Sequence, residues 1–164
     1  MIYGFNANEV FQMAIEIEEN GKAFYDQAGQ KITDPQVKEL FAALAQEEVS
    51  HKARFISLKD KLPATAAGQT VYDPEKEIDL YLKMMADLNV FRTDKKMADQ
   101  VAGIKSAADA VHLAMQFEKD SIIFFLTMQD DTEEAQGRQL IGQLVKEEQQ
   151  HLKRLSMQLK KLGY

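Results

Sequence analysis

The chain has 164 residues, of which 45% are hydrophobic and 28% are charged, with a formal net charge of −6. This length suffices for one domain with a sizeable core, and the acidic balance argues against a protein that binds nucleic acid through its phosphates. The chain has no cysteine, which excludes disulfides, thiolate metal sites, iron–sulfur clusters and cysteine nucleophiles.

The first ten residues, MIYGFNANEV, show neither the basic start nor the apolar segment of a secretory signal. No apolar run approaches the roughly 20 residues that span a bilayer. The sequence therefore predicts a soluble cytoplasmic protein without a membrane partner.

Sparse glycine and proline, together with apolar residues spaced by three and four, predict an almost entirely helical chain. A first helix is predicted from about Asn8 to Gln30. Asp34 as N-cap and Pro35 at the first helical position start a second helix, which ends near Lys61. The short connection between the two helices predicts an antiparallel hairpin.

A long crossover, about residues 62–105, separates this hairpin from the next. It opens with a loop rich in Ala, Gly and Thr and continues with an amphipathic helix from about Glu75 to Val90. The pattern over residues 91–105 is ambiguous, with room for one short helix.

Ser106 has the residue type of an N-cap for a third long helix ending near Gln129. A tight turn at residues 130–132 leads into a fourth helix, from Glu133 to about Leu162. The predicted architecture is an all-α four-helix bundle within a single domain, residues 1–164. It consists of two antiparallel helix hairpins, with a long, helix-containing crossover between the second and third long helices.

The second helix carries two polar residues on its apolar face. Its inward positions, spaced alternately by four and three, are Val37, Phe41, Leu44, Glu48, His51, Phe55 and Leu58. Glu48 and His51 therefore point into the core, where a carboxylate and an imidazole destabilise the fold unless something pairs with them.

The same pattern recurs 100 residues later, where Glu148 and His151 interrupt the apolar face of the fourth helix. Glu18 and Glu118 interrupt the first and third helices with the same offset. Two hairpins packed about a pseudo-twofold axis would bring six polar side chains together at mid-height of the bundle: Glu18, Glu48, His51, Glu118, Glu148 and His151.

Four ionised carboxylates in one dry core repel each other strongly, and two divalent cations would neutralise them. Carboxylate combined with imidazole favours iron or manganese over calcium or structural zinc. A single Glu-x-x-His pair is more often a solvated surface contact. Here there are two such pairs, 100 residues apart, and two further glutamates on apolar helix faces, also 100 residues apart. Together they match the known di-iron or di-manganese arrangement.

Tyr25 lies two turns beyond Glu18 on the same face, where a phenol can orient a ligating carboxylate from behind. The alternative is a plain core aromatic, as Phe125 is at the repeat position. His112 lies beside the apolar face of the third helix and is interpreted as a histidine at the boundary of the core. Four further glutamates lie off the seams and are interpreted as surface residues: Glu16, Glu19, Glu47 and Glu147.

The six in-seam residues resemble the ligand pattern of the ferritin-like superfamily and, within it, of rubrerythrin-like proteins, over residues 8–61 and 106–162. The resemblance implies two iron ions as cofactors, with manganese as the alternative metal, and the di-metal site itself as the catalytic centre. The implied roles are bridging for Glu48 and Glu148, terminal carboxylate for Glu18 and Glu118, and terminal nitrogen ligand for His51 and His151.

The chain departs from that family in two respects. Rubrerythrins typically carry another glutamate one turn after the third-helix ligand, where this chain has Ser121. They also commonly carry a cysteine-ligated rubredoxin domain, which implies here either a separate electron-donor protein or no sustained peroxidase cycle. The crossover, longer than in cage-forming ferritins, and the lack of a fifth C-terminal helix argue against a large cage. A homodimer is expected because dimers are the commonest closed assemblies.

Three functional hypotheses follow. The leading one is a di-iron oxidoreductase that reduces peroxide or dioxygen. The second is an iron-binding or storage protein, in which oxidation serves only deposition. The third is an interaction bundle with a vestigial site, in which the helix at residues 75–90 is a partner surface.

Overall fold

The computed structural model describes residues 7–62, 94–132 and 135–164. Within these ranges the chain forms five helices and no strand: α1 (Ala7–Lys31), α2 (Pro35–Lys59), α3 (Asp94–Gly103), α4 (Ala107–Asp131) and α5 (Ala135–Lys161). None of the five is both long enough and apolar enough to cross a membrane.

α1 packs along α2, and α4 packs along α5. Because short connections join the partners, each pair is an antiparallel hairpin. The prediction of an all-α bundle of two hairpins is confirmed, and α3 is the short helix expected near the end of the crossover. The amphipathic helix predicted at residues 75–90 lies outside the described residues.

Two N-caps fix the starts of α2 and α4. The Asp34 side chain accepts a hydrogen bond from the Val37 amide at 2.9 Å, and Pro35 occupies the first turn. The Ser106 hydroxyl accepts a hydrogen bond from the Asp109 amide at 3.1 Å. Both caps are those predicted from the sequence.

α4 extends to Asp131, two residues beyond its predicted end near Gln129. Its last turn is closed by Thr132, whose hydroxyl donates a hydrogen bond to the Met128 carbonyl at 2.7 Å. That bond satisfies one of the carbonyls that a helix end leaves free. The turn predicted at residues 130–132 therefore begins later than expected.

The apolar core consists of two clusters. The first is built around Phe24, Phe41 and Phe117, and α3 contributes Met97 and Val101 to it. The second cluster is built around four other phenylalanines: Phe11, Phe55, Phe124 and Phe125. Along the long helices, the polar in-seam residues fall between the positions that enter one cluster and the positions that enter the other. The core is therefore interrupted by a polar layer.

We expect Asp34→Ala to lower the free energy of unfolding by about 1 kcal/mol, because it leaves an amide of the first turn of α2 without its acceptor. Urea unfolding followed by circular dichroism measures the change. Ser50→Ala, at an exposed position within α2, is the control and should change the free energy by less than about 0.5 kcal/mol. Equal effects of the two substitutions would contradict the capping role.

Candidate metal centre

The six predicted residues meet in the polar layer, one from each of α1 and α4 and two from each of α2 and α5. Their side chains are almost fully buried, with no residue more than 4% exposed: Glu18, Glu48, His51, Glu118, Glu148 and His151. Each of the four long helices places its one or two polar residues where the sequence pattern continues an apolar stripe, so helix packing itself brings the six together.

The ligand atoms of these residues form two overlapping groups, each within a span of 4.8 Å. Glu48 and Glu148 belong to both groups. The groups differ in their remaining members, which are Glu18 and His51 in one and Glu118 and His151 in the other. This geometry can hold two adjacent cations that share two carboxylates.

Both imidazoles direct Nδ1 into the layer. Nδ1 of His51 lies 2.6 Å from Glu148 Oε1 and 3.4 Å from Glu48 Oε2. Nδ1 of His151 lies 3.1 Å from Glu148 Oε2 and 3.5 Å from Glu118 Oε1. The two rings are stacked, with centroids 5.3 Å apart and planes inclined by 12°.

Four buried atoms of the layer have no hydrogen-bond partner among the described residues: Glu18 Oε1, Glu148 Oε1, His51 Nδ1 and His151 Nδ1. The short distance from His51 to Glu148 does not have the angles of a hydrogen bond. Buried polar atoms without partners are destabilising and call for an explanation. The carboxylate oxygens and imidazole nitrogens of each ligand group are atom types that bind divalent iron or manganese, so these residues fit such ions.

Burial and charge divide the carboxyl groups into two kinds. Burial, reinforced by Glu48 and Glu148, raises the pKa of Glu18 and Glu118 well above the ordinary range. Burial also opposes ionisation of Glu48 and Glu148, but contacts with both histidines and with the other two glutamates outweigh it and lower their pKa. Without a metal ion, the layer therefore favours two carboxylates and two neutral acids.

The histidines complete this balance. Burial alone would lower the pKa of each imidazole, but the surrounding carboxyl groups raise the pKa of His51 and His151 far above the ordinary value. Two imidazolium ions then face two carboxylates, so the metal-free layer carries little net charge. Divalent ions would displace these protons, because metal binding requires deprotonated ligands.

The Tyr25 hydroxyl donates a hydrogen bond to Glu118 Oε1, which lies in the other hairpin. Burial next to Glu118 raises the pKa of Tyr25 well above its ordinary value, so the phenol stays a donor. The sequence suggested a partner role for Tyr25 but did not indicate which carboxylate it contacts.

Glu47 and Glu147 are the residues whose role the sequence interpretation missed. Their side chains are 43% and 40% exposed, yet Glu47 Oε2 lies 2.9 Å from His151 Nε2 and Glu147 Oε2 lies 2.9 Å from His51 Nε2. Each carboxylate also pairs with an arginine, Arg154 or Arg54. The usable signal was the longer repeat Glu-Glu-x-x-His-x-x-Arg, which occurs at both sites.

Two neighbouring residues of α4 near the site differ in burial. Ser121 is buried at 6% exposure, whereas Ile122 is partly buried and packs against the second apolar cluster. The buried position is the repeat counterpart of Gly21. His112 lies on the outer face of α4, where its ring nitrogen contacts the Ala108 carbonyl at 3.0 Å, and it belongs to neither ligand group.

Helix hairpins that enclose a layer of four carboxylates and two imidazoles define the class of di-metal carboxylate bundles. The rubrerythrin family model matches residues 9–159, and the chain therefore belongs to the rubrerythrin family. A crystal structure from Thermotoga maritima, described as a candidate ferritin-like diiron-carboxylate protein, superimposes with a TM-score of 0.67 at 20% identity. The match covers 98% of both chains and shows the ferritin-like fold. Comparison with curated proteins gives no significant match.

The stability of the metal-free protein should fall as the pH rises from about 5 to 8. Glu18, Glu118 and both histidines have a higher pKa in the folded protein than their ordinary values of 4.5 and 6.5. Above those values the folded protein holds more protons than the unfolded chain, so the free energy of unfolding decreases with pH. The lowered pKa of Glu48 and Glu148 acts in the opposite sense only below pH 4.5. Urea unfolding of chelator-treated protein at several pH values measures the trend.

The double variant Glu18→Gln/Glu118→Gln is the matched control for this trend. Its neutral amides remove two of the titrating groups, so its stability should depend less on pH. At pH 8 its free energy of unfolding should exceed that of the metal-free wild type, because the amides do not have to take up protons on folding. A wild-type stability that increases from pH 5 to 8 would contradict the charge assignment.

Proposed function

We propose that this protein is a non-haem di-iron oxidoreductase of rubrerythrin type that reduces hydrogen peroxide or dioxygen. The observation that carries the proposal is the pair of ligand groups that share Glu48 and Glu148 and contain buried atoms with no hydrogen-bond partner in the described part of the chain. The two ligand groups would hold two ferrous ions, which would supply one electron each for cleavage of an O–O bond; with two protons, one peroxide would give two waters.

The chain's own residues would hold the ions and limit the access of water. Six side chains are too few to complete two six-coordinate shells, so positions remain at which an oxidant binds. The apolar clusters on either side of the layer keep the surroundings dry, which strengthens each charge interaction inside it.

Glu47 and Glu147 would set the tautomer of the two histidines. A carboxylate 2.9 Å from Nε2 would accept a hydrogen bond from the Nε2–H group, which leaves the Nδ1 lone pair directed into the layer. The imidazole that is presented to the ion is then in its ligating form.

We also propose a separate electron-donor protein and a homodimeric state in the cytoplasm. The 164 residues contain no cysteine, so an iron–thiolate centre for re-reduction would have to lie outside them. Dimers are the commonest closed assemblies.

The reduced, iron-loaded protein should be oxidised rapidly when mixed with peroxide in a stopped-flow instrument. Glu48→Ala should bind fewer than two irons per chain and lower the oxidation rate by about 100-fold or more, because it removes a shared ligand. Glu39→Ala, an exposed glutamate on the same helix, should retain both properties. A rate unchanged by Glu48→Ala would refute the site. A cage that accumulates many irons per chain would instead establish storage.

Removing the carboxylates of Glu47 and Glu147 should weaken metal binding without unfolding the protein. We expect Glu47→Ala/Glu147→Ala to lower the affinity for Mn²⁺ by about 10–100-fold, as in other sites that lose the partner of a ligating histidine. Glu47→Gln/Glu147→Gln keeps an acceptor oxygen and should have an intermediate effect. Glu19→Ala is the control, since Glu19 pairs with Lys52 at the surface and contacts neither histidine. An Ala variant within about twofold of the wild type would contradict this role.

A further inference from the structure

The two halves of the metal centre share their ligand types but differ in one contact behind a ligand. Tyr25 and Phe125 occupy equivalent positions of the repeat. The Tyr25 hydroxyl donates a hydrogen bond to Glu118, whereas Phe125 has no polar atom and packs on Phe55 with ring centroids 4.9 Å apart.

The Tyr25 ring is held firmly. It is 2% exposed and meets Phe24 and Phe41 edge-on, with centroids 5.3 Å and 5.1 Å away. A ring fixed on two sides presents its hydroxyl in one direction, so the phenol restrains the carboxylate of Glu118 before any ion arrives.

Glu18, the counterpart of Glu118, has no such restraint on one of its oxygens. Its Oε1 is buried and has no hydrogen-bond partner among the described residues. The histidines do not share this difference, because each contacts a carboxylate at 2.9 Å, His51 with Glu147 and His151 with Glu47. The asymmetry therefore lies at the two terminal carboxylates.

We infer that the two metal positions are unequal and that the first divalent ion binds at the Glu118–His151 position, with Tyr25 as the positioning residue responsible. A ligand that is already oriented loses less conformational freedom on binding, whereas Glu18, with one oxygen that has no hydrogen-bond partner among the described residues, loses more. This inference rests on the metal centre proposed above and adds an order of loading to it.

Single-position variants separate this effect from repulsion between two bound ions. Glu18→Gln leaves the Glu118–His151 position intact, and Glu118→Gln leaves the Glu18–His51 position intact. Each is titrated with Co²⁺ under anaerobic conditions by isothermal calorimetry, after circular dichroism confirms its helix content. We expect Glu18→Gln to bind Co²⁺ about 10-fold more tightly than Glu118→Gln.

Tyr25→Phe tests the cause. In the Glu18→Gln background it should weaken Co²⁺ binding by about 10-fold, because the phenol's partner is the remaining terminal carboxylate. In the Glu118→Gln background the intact position is Glu18–His51, whose terminal carboxylate is not the partner of Tyr25, and the same substitution should change the affinity by less than about twofold. Tyr164→Phe, at an exposed tyrosine near the chain end, is the control and should have no effect in either background.

The outcomes distinguish this inference from the proposed function. A wild type that binds two Co²⁺ ions, with equal affinities in the two Gln variants, overturns the unequal positions and leaves the di-metal centre standing. Equal effects of Tyr25→Phe in both backgrounds overturn the role of Tyr25. A wild type that binds no Co²⁺ overturns the metal centre and, with it, the order of loading.

Discussion

The structure depends on the burial of six ionisable side chains between two apolar clusters. Such a layer is stable only when its charges compensate each other, because a single uncompensated buried charge destabilises a protein by several kcal/mol. Here two imidazoles face two carboxylates whose pKa is lowered, and the remaining two carboxyl groups favour their neutral form. The protein can therefore fold when the side chains of the layer carry protons, and also when divalent ions replace those protons.

The same layer joins the two hairpins. Within each hairpin the helices pack mainly through apolar side chains, but the hydrogen bonds around the site run from one hairpin to the other: His51 with Glu147, His151 with Glu47, and Tyr25 with Glu118. The apolar clusters also join the hairpins, so association of the hairpins and formation of the ligand set share only the contacts of the polar layer. Metal binding and folding must be coupled in such a protein, since a ligand set assembled by folding does not exist in the unfolded chain.

The sequence predicted the buried residues of this layer because burial follows helical periodicity, and Glu48 and His51 interrupt an otherwise apolar line. It did not predict the role of Glu47, because that residue lies off the seam and its partner His151 belongs to the other hairpin. The burial of Ser121 likewise depends on packing, since steps of three and four from Glu118 reach Ser121 and Ile122 respectively and both continue a helical stripe. Contacts within a helix follow from its period, whereas contacts between hairpins require their relative position.

A duplicated hairpin gives equivalent ligands by default, so any difference between the two metal positions must come from residues at which the copies have diverged. The ligands themselves have not diverged. One diverged pair that contacts a ligand is Tyr25 and Phe125, where one copy has a hydrogen-bond donor behind its terminal carboxylate and the other does not. In a low-dielectric layer one such bond matters more than at the surface, because the alternative for the oxygen is no partner at all. A single hydroxyl can therefore make two positions with the same ligands chemically distinct.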